Sequence, residues 1–395
     1  MIAVVVLGGL VALGWTLLAI RLIRRSRGRW FRFLGPVEGA ILDGPAVDAI
    51  VPARNEEAHV AATVEALRSQ DYPTLAITVV DDQSTDATGA ILDRLAAEAG
   101  LRAPLRVVQG VERPSGWVGK TWAIHQGVAG TEADWLWFVD ADMGLHPRAL
   151  ASAIIEAERE GADFVSLLPG VRCRTFWQGT IAASFLQLLA QLYPLDRVND
   201  PSSPEAIAAG GFILVRRSAY DRAGGHEACR GEIIEDMQLA RRVKAAGGRL
   251  SVRLAPGLAW THMYGRFGDI WRGLRKNAYA GMDYMPRKYV TGAIIALLLA
   301  WAPWVALAWG IATGAVPSLI VGVWGILAQA AASAPVLVFL GLPAPFALGL
   351  PAGITAYVAI ASASVWHHHR GRILWKDRIL PSEAMDRPEG PSRSR

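Results

Sequence analysis

Two aspartates separated by one residue follow a short apolar run near the middle of the chain. The run is 135–139, and Asp140 and Asp142 come directly after it. Positions two apart along a strand point to the same face, so both carboxylates should leave the sheet together. The two carboxylates repel each other unless a cation lies between them. Mg²⁺ and Mn²⁺ suit this position because they bind oxygen ligands, and phosphate oxygens can fill their remaining coordination positions. The pair therefore predicts a metal and phosphate site, although acidic loops without such a function also contain this spacing.

Polar side chains also occur where other predicted strands end or predicted helices begin. They lie in 51–57, 81–86, 116–120 and 235–236. A carboxylate in 81–86 could accept hydrogen bonds from a nucleobase or ribose, and Lys120 could meet phosphate. The alternative is an ordinary helix start, where the dipole favours acidic residues and Ser84 or Thr85 caps the helix. Lys120 would then be a solvated surface lysine.

Short β-rich runs alternate with helical stretches through the middle of the chain. The predicted strands are 47–53, 77–81, 105–109, 135–139, 163–168 and 211–215. The predicted helices are 57–69, 86–99, 120–129, 147–160 and 235–244. This alternation is typical of an α/β protein with helices on both faces of a mostly parallel sheet, in which ligands bind at the carboxyl ends of the strands.

The chain is 52% apolar and only 19% charged, which favours membrane segments. Residues 1–20 carry no charge, and a helix of this length crosses a bilayer. Six arginines follow within 21–32, the reverse of the order in a cleavable signal peptide. We therefore expect a transmembrane anchor over 1–20 and a basic juxtamembrane linker over 21–45. The domain over 46–289 is then cytoplasmic, because Lys and Arg are retained on that side.

A second apolar block covers 290–366 and contains no Asp, Glu, Lys or Arg. Turn signals at 313–317 and 341–345 divide it into about three helices. The tail over 367–395 is basic and polar, which favours the cytoplasm, whereas three spans would put it outside. A re-entrant segment or different boundaries would each remove this conflict. The expected localisation is the cell inner membrane, as a multi-pass protein.

Composition also bears on other classes of protein. The formal charge of +5 is modest, and no basic stripe indicates nucleic-acid binding. Cys173 and Cys229 lack metal-site spacing and predict no disulfide in a reducing compartment. The apolar segment 176–194 is either an interfacial helix or an ordinary core helix.

Four segments of the middle region resemble family-2 glycosyltransferases of the GT-A fold, in the expected order. They are 51–57, 81–86, 140–142 and 235–236. The segments 116–122, 210–211, 224–226 and 263–264 are also similar to membrane enzymes associated with carotenoid and hopanoid pathways. The resemblance implies a GT-A-type mixed, mostly parallel sheet with helices on both faces. Transmembrane helices at both ends of the chain fit the same group.

The resemblance implies a binding role for residues near the first two strands. Pro52, Arg54 and Glu56 would line the nucleotide pocket, and Asp82 would contact the uracil of a UDP-sugar. Lys120 would be a further nucleotide-sugar ligand if it meets the diphosphate. The donor implied is UDP-glucose.

The resemblance also implies the reacting groups. Asp140 would face the ribose or phosphate, and Asp142 would ligate the metal ion directly. Asp236 would be the general base that takes a proton from the acceptor, with Glu235 beside it. Direct displacement would invert the anomeric centre, and the acceptor would be a hydroxyl or carboxyl of a lipid at the cytoplasmic membrane face.

One departure from the family pattern concerns the acceptor side. Many lipid-linked relatives carry a Gln/Arg-x-x-Arg-Trp motif after the base, where this chain has 269–276. Trp271 could stack on an acceptor, and Arg272 or Lys276 could meet the diphosphate. Alternatively, these three residues anchor an interfacial helix among lipid headgroups. His262 could complete the metal site, or it is structural.

Two other functions stay open on the residues alone. The first keeps the reaction but takes polyprenyl phosphate as the acceptor, so that a phosphate is the nucleophile and Asp236 matters less. The second is a non-catalytic membrane scaffold that keeps a nucleotide-binding fold. A sugar nucleotidyltransferase would need a glycine-rich, basic first loop, which 51–57 does not supply.

Overall fold

The computed structural model describes residues 2–26, 33–39, 43–98, 103–262, 267–282, 284–370, 374–375 and 378–379. The chain forms two compact units. The helical unit comprises Met1–Arg32, Gly170–Asp196 and His262–Trp366. The sheet unit comprises Phe33–Pro169, Arg197–Thr261 and His367–Arg395.

Twelve strands occur in the described chain. They are β1 Val47–Ala53, β2 Leu75–Asp81, β3 Leu105–Gln109, β4 Trp135–Phe138, β5 Met143–Leu145, β6 Phe164–Leu168, β7 Gly170–Arg172, β8 Ile213–Arg216, β9 Leu250–Leu254, β10 Ala259–His262, β11 Leu374–Trp375 and β12 Arg378–Ile379. Seven of them form one sheet in the order β3-β2-β1-β4-β8-β6-β9. Its strands are parallel except β8, which runs antiparallel to both β4 and β6. The predicted mixed, mostly parallel sheet of the GT-A type is confirmed.

Thirteen helices occur in the described chain. They are α1 Ile2–Ser26, α2 Val60–Arg68, α3 Thr88–Ala96, α4 Gly119–Val128, α5 Ala149–Glu160, α6 Phe176–Leu192, α7 Leu195–Val198, α8 Arg217–Arg222, α9 Glu235–Ala245, α10 Phe267–Ala278, α11 Pro286–Thr313, α12 Val316–Leu340 and α13 Leu350–His369. Alternate residues of the central strands enter different cores of the sheet unit. Ala49 and Val51 pack with residues of α2, α3 and α5. Ile50 packs with residues of α4, α8 and α9. Helices therefore cover both faces of the sheet, as the strand period of two requires.

Several helix boundaries differ from the predictions. The helix predicted from residue 57 begins at Val60, because the main-chain N–H groups of Glu56 and Glu57 bond to Thr88 and Asp86 instead. The helix predicted from residue 86 begins at Thr88. The first helix continues to Ser26, six residues beyond the predicted end of the anchor and into the basic linker.

Four helices have the length and apolar composition needed to cross a membrane. They are Ile2–Arg24, Pro286–Thr313, Val316–Leu340 and Ala344–His369. The segment 176–194 forms α6 within the helical unit, where Gln187 donates to the carbonyl of Ala332 at 3.3 Å. This contact joins α6 to the spanning-length helix α12.

A proline in α11 frees a main-chain carbonyl inside the apolar region. Pro303 has no N–H, so the carbonyl of Leu299 four residues earlier lacks its helical donor. Trp15 of α1 donates its indole N–H to this oxygen at 2.9 Å, and Gln329 of α12 approaches it at 3.4 Å. The two neighbouring helices thus supply hydrogen bonds that α11 itself does not provide for this carbonyl. The contact joins α1, α11 and α12.

Candidate active site

The loops that follow β1 and β2 are held together by hydrogen bonds. The guanidinium of Arg54 donates to the carbonyl oxygens of Asp82 and Gln83 at 2.5 and 2.8 Å. Asn55 and Gln83 both adopt positive φ, and the Asn55 side chain accepts from the main chain of Thr85 at 2.8 Å. Asp82 is buried beside them. Arg54 thus braces the carboxyl end of two strands, next to the carboxylate expected to meet the nucleobase.

The turn that carries Asp140 and Asp142 follows β4 and is fixed from two sides. The amide of Val139 donates to the carbonyl of Ile50 at 3.2 Å, which continues the contact between β4 and β1. The hydroxyl of Thr63 donates to the carbonyl of Ala141 at 2.7 Å. Both aspartates are therefore placed by buried elements on either side of the turn.

The carboxyl group of Asp142 lies in an electronegative surrounding. Burial raises its pKa to about 6, and the charges of Asp140 and Glu56 raise it in the same direction. His59 and Lys120 oppose this effect. A divalent cation would relieve the repulsion among these carboxylates, so the donor chemistry fits such an ion. Within the described residues, no three His, Cys, Asp or Glu side chains cluster closely enough to hold a metal by themselves. Diphosphate and water oxygens would have to supply the other ligands.

Lys120 joins the turn after β4 to the start of α9. Its Nζ atom lies 2.7 Å from Oδ1 of Asp140 and 2.7 Å from Oε1 of Glu235. Burial lowers the pKa of Lys120, but these carboxylates and Asp236 together raise it well above its usual value. Lys120 is therefore charged at neutral pH and is not a solvated surface lysine.

The first turn of α4 is tied to the segment before α9. The amide of Val118 donates to the carbonyl of Arg230 at 2.7 Å, and the hydroxyl of Thr121 lies 2.8 Å from the same oxygen. Lys120 stands between these two residues in sequence. The pairing of Lys120 with Glu235 therefore follows from main-chain contacts and does not depend on a flexible side chain alone.

The carboxylate of Asp236 is oriented by two main-chain donors. Gly210 donates to Oδ2 at 2.9 Å and Met237 to Oδ1 at 2.8 Å. Burial raises the pKa of Asp236 to about 7, the neighbouring charge of Glu235 adds to this rise, and Lys120 opposes it. A carboxyl group that titrates near neutral pH can accept a proton and return it, as a general base must.

Residues from six segments line one pocket of the sheet unit at this edge of the sheet. The lining residues are Pro52, Lys120, Ile124, Phe138, Val139, Asp140, Gly210, Ile213, His226, Glu235 and Asp236. The pocket thus brings together Pro52 near the end of β1, the residues that follow β4 and the acidic start of α9. It also contains Gly210 and His226, to which sequence reasoning gave no role beyond a resemblance in the segments around them.

The predicted acceptor residues belong to the helical unit. Trp271, Arg272 and Lys276 are on α10 in the helical unit, where Arg272 pairs with Asp269 at 2.5 Å. The main chain of His262 ends β10, while its side chain and residues 263–264 lie outside the described residues. The roles suggested for these residues remain predictions.

The sheet is of the GT-A type, and the pocket lies at the carboxyl edge of its strands, where ligands bind in such sheets. Residues 48–224 match the family model described as "Glycosyl transferase family 2". The chain contains a family-2 glycosyltransferase domain.

Similar proteins are found among carotenoid-related enzymes. The chain is 26% identical over 254 residues to 4,4'-diaponeurosporenoate glycosyltransferase of Staphylococcus aureus (strain USA300), covering 63% of this chain and 65% of that protein. The counterpart in strain MRSA252 is 28% identical over 197 residues, which cover 49% of this chain and 50% of that protein. The first match spans less than two thirds of the relative's length.

A solved structure supports the fold over most of the chain. It is the mannosyltransferase PcManGT from Pyrobaculum calidifontis in complex with GDP-Man and Mn²⁺. The TM-score is 0.54 at 20% identity, covering 92% of this chain and 98% of that chain. At this identity the likeness establishes the architecture only.

Proposed function

We propose that this chain is an inverting, metal-dependent glycosyltransferase that moves a sugar, glucose in the simplest case, from a UDP-sugar to a lipid acceptor. The reaction takes place at the cytoplasmic face of the cell inner membrane. The observation that carries the proposal is the Lys120 bridge between Asp140 and Glu235, with the oriented carboxylate of Asp236 in the same pocket.

The donor nucleotide occupies the side of the pocket near β1 and β2. Pro52 lines the pocket there, and Arg54 braces the loop that carries Asp82. Asp82 and Glu56 supply acceptors for the base and ribose. The solved mannosyltransferase holds GDP-Man, so the choice of uracil over guanine rests on the family resemblance at Asp82 and is tested below.

The metal ion belongs at Asp142, with Asp140 beside it. Burial raises the pKa of Asp142, and repulsion from Asp140 and Glu56, which a cation there would relieve, adds to this rise. A bound Mg²⁺ or Mn²⁺ ion stabilises negative charge on the departing diphosphate as a Lewis acid. Lys120 holds Asp140 in place and adds a fixed positive charge to the same region.

Asp236 takes the proton from the acceptor. Its two oxygens are held by Gly210 and Met237, which fixes the direction from which an acceptor hydroxyl approaches. Attack from this side on an α-linked donor displaces UDP and gives a β-linkage. Glu235 remains paired with Lys120 and helps to keep the pKa of Asp236 near neutrality.

The acceptor is a lipid because the catalytic domain accompanies four helices of membrane-spanning length. The relative from Staphylococcus aureus acts, by its name, on 4,4'-diaponeurosporenoate. A lipid hydroxyl needs Asp236 as a base, whereas a carboxylate or polyprenyl phosphate arrives already ionised. Lys120, the pocket's lysine, is already paired with two carboxylates, which disfavours a doubly charged phosphate acceptor.

The test is sugar transfer by the full-length protein in liposomes containing lipids of the native membrane. Radiolabelled UDP-glucose and Mn²⁺ are added, and lipid products are identified by mass spectrometry. Asp236→Asn should reduce transfer by about 1,000-fold or more for a hydroxyl acceptor, since base catalysis supplies about 10²–10⁴-fold. Unchanged transfer by this variant would remove Asp236 from the base role.

Calorimetry separates an enzyme from a nucleotide-binding scaffold and tests the base preference. Wild-type protein should bind UDP more tightly than GDP in the presence of Mn²⁺, and Asp142→Ala should weaken that binding. Binding without transfer to any lipid of the native membrane would favour the scaffold. Tighter binding of GDP would make the donor a GDP-sugar.

A further inference from the structure

His226 is a buried histidine that lines the pocket and is held in place by Tyr220. The Tyr220 hydroxyl lies 3.0 Å from Nδ1 of His226 and accepts the main-chain N–H of the same residue at 2.9 Å. The imidazole meets the ring of Phe138 edge-on, with centroids 4.8 Å apart. Its orientation is therefore set by its contacts with Tyr220 and Phe138.

These contacts favour one position for the ring proton. The Tyr220 oxygen accepts one hydrogen bond from the main chain, so its own proton is available for Nδ1. Burial and the charge of Lys120 lower the pKa of His226 to about 3, so the ring is neutral at physiological pH. A neutral imidazole that accepts at Nδ1 carries its proton on Nε2. Among the described residues, none receives a hydrogen bond from that atom.

Two glycines shape the backbone between Tyr220 and His226. Gly225 has φ +55°, and a Cβ there would lie 2.8 Å from the Tyr220 ring. Gly224 has φ +80°. Residues with side chains rarely adopt these conformations. The two glycines allow the chain to fold back so that Tyr220 reaches His226.

The other polar side chains of the pocket present mainly acceptors. Lys120 is paired with Asp140 and Glu235, and the carboxylate of Asp236 is held by main-chain donors. His226 adds a neutral N–H donor to this set. A sugar hydroxyl matches the combination, since it donates to a carboxylate and accepts from an N–H group.

We propose that Nε2–H of His226 donates a hydrogen bond to a hydroxyl oxygen of the transferred sugar and thereby selects the donor. This inference rests on the proposed function. The sugar must lie between the diphosphate, near Asp140, and the acceptor, near Asp236. His226 lines the same pocket as both residues.

Two substitutions at the site separate the hydrogen bond from the shape of the ring. His226→Phe keeps an aromatic ring against Phe138 but removes the donor, whereas His226→Gln keeps an N–H group close to the Nε2 position. Tyr220→Phe removes the hydroxyl that orients the imidazole. Tyr72→Phe is the matched control, because Tyr72 is also a buried tyrosine whose hydroxyl donates to a carbonyl, that of Pro45, outside the pocket.

The measurement is the affinity of the full-length protein for UDP and for the UDP-sugar that binds best, with Mn²⁺, by calorimetry. We expect His226→Phe to weaken UDP-sugar binding on the order of tenfold and to leave UDP binding unchanged, the effect of one lost hydrogen bond. Tyr220→Phe should act in the same direction with a smaller effect. His226→Gln should recover most of the affinity, and Tyr72→Phe should match wild type.

Equal loss of UDP and UDP-sugar affinity, or no loss of either, would overturn the proposal. If His226→Phe does not fold, the ratio of UDP-sugar affinity to UDP affinity in Tyr220→Phe and His226→Gln tests the proposal instead. Failure of the proposed function has a different signature, because wild-type protein would then bind the UDP-sugar without transferring it. A sugar-selective effect of His226→Phe would still stand in that case.

Discussion

The main-chain N–H of Gly210 lies 2.9 Å from Oδ2 of Asp236 and orients that carboxylate. Gly210 also leaves space that two charged side chains border. A Cβ at this position would lie 3.0 Å from Nζ of Lys120 and 3.2 Å from Oδ2 of Asp236. One residue without a side chain therefore both fixes the base and leaves room for the ammonium that lowers its pKa.

Gly210→Ala should reduce sugar transfer on the order of 100-fold, since a displacement of about 1 Å at a reacting group has an effect of that size. Lys120 cannot move away freely, because two carboxylates hold it at 2.7 Å. The measurement is kcat for transfer beside UDP affinity, which should stay unchanged. Gly257→Ala is the control, as a Cβ there meets nothing within 4 Å. Equal activity of both variants would mean that the pocket tolerates the methyl group.

The pH dependence of transfer should report Asp236. A base must be ionised, and the pKa of Asp236 is raised to about 7. The value of kcat/KM, which reflects the free enzyme, should therefore rise with pH and level off above about 7. A profile that is flat between pH 5.5 and 8.5 would indicate an acceptor that is already ionised, such as a carboxylate.

Removal of the nearby cation should shift this profile. Lys120 lowers the pKa of Asp236, so Lys120→Gln should move the acid limb to higher pH in addition to lowering the plateau rate. Arg106→Gln is a control that removes a cation from the sheet unit, where Arg106 bonds to Thr78 and Gly127 outside the pocket. This control should leave the acid limb of the pH profile at the same pH. A lower midpoint in Lys120→Gln would contradict the assigned geometry.

The sequence predicted the sheet class and most of its strands because apolar runs with polar ends are a local signal. The aspartates after β4 were found in this way, since Trp135–Phe138 is buried at every position. Helix starts were predicted less well. Nothing local indicates that Thr88 and Asp86 take the N–H groups of Glu56 and Glu57, which delays α2 until Val60.

The pocket's remaining residues depend on tertiary contacts that a single sequence does not contain. From the sequence alone, Lys120 is either a phosphate ligand or a surface residue. The hydrogen bond from Val118, at the start of α4, to the carbonyl of Arg230 places Lys120 in the pocket, and the sequence does not show this contact. His226 acquires its role from Tyr220, six residues earlier across two glycines. The Gly224-Gly225 pair indicates a turn in the sequence, because glycine readily adopts positive φ. It does not indicate that the Tyr220 side chain contacts His226 across that turn.

Trp15 should contribute to stability through Leu299. Trp15→Phe leaves the proline-freed carbonyl with the 3.4 Å contact from Gln329 alone, so we expect a loss of about 1 kcal/mol in the free energy of unfolding. Thermal unfolding of the purified protein in detergent measures it. Trp309→Phe is the matched control, because Trp309 also lies on a spanning-length helix and is 43% exposed. An equal effect of the two substitutions would show that the indole hydrogen bond contributes nothing measurable.

The position of the basic tail follows from the number of helices that cross the membrane. Three helices of spanning length lie between Pro286 and His369, and Arg287 and Lys288 at the start of the first favour the cytoplasm at that end. If all three cross, the tail lies on the outer face despite its positive charge. A reporter active only outside the cytoplasm, fused after Arg395, should therefore be active, while the same reporter inserted at Gly257 in the sheet unit should be silent. A silent reporter at Arg395 would mean that one of α11, α12 and α13 does not cross, and that the charge of the tail outweighs the helix count.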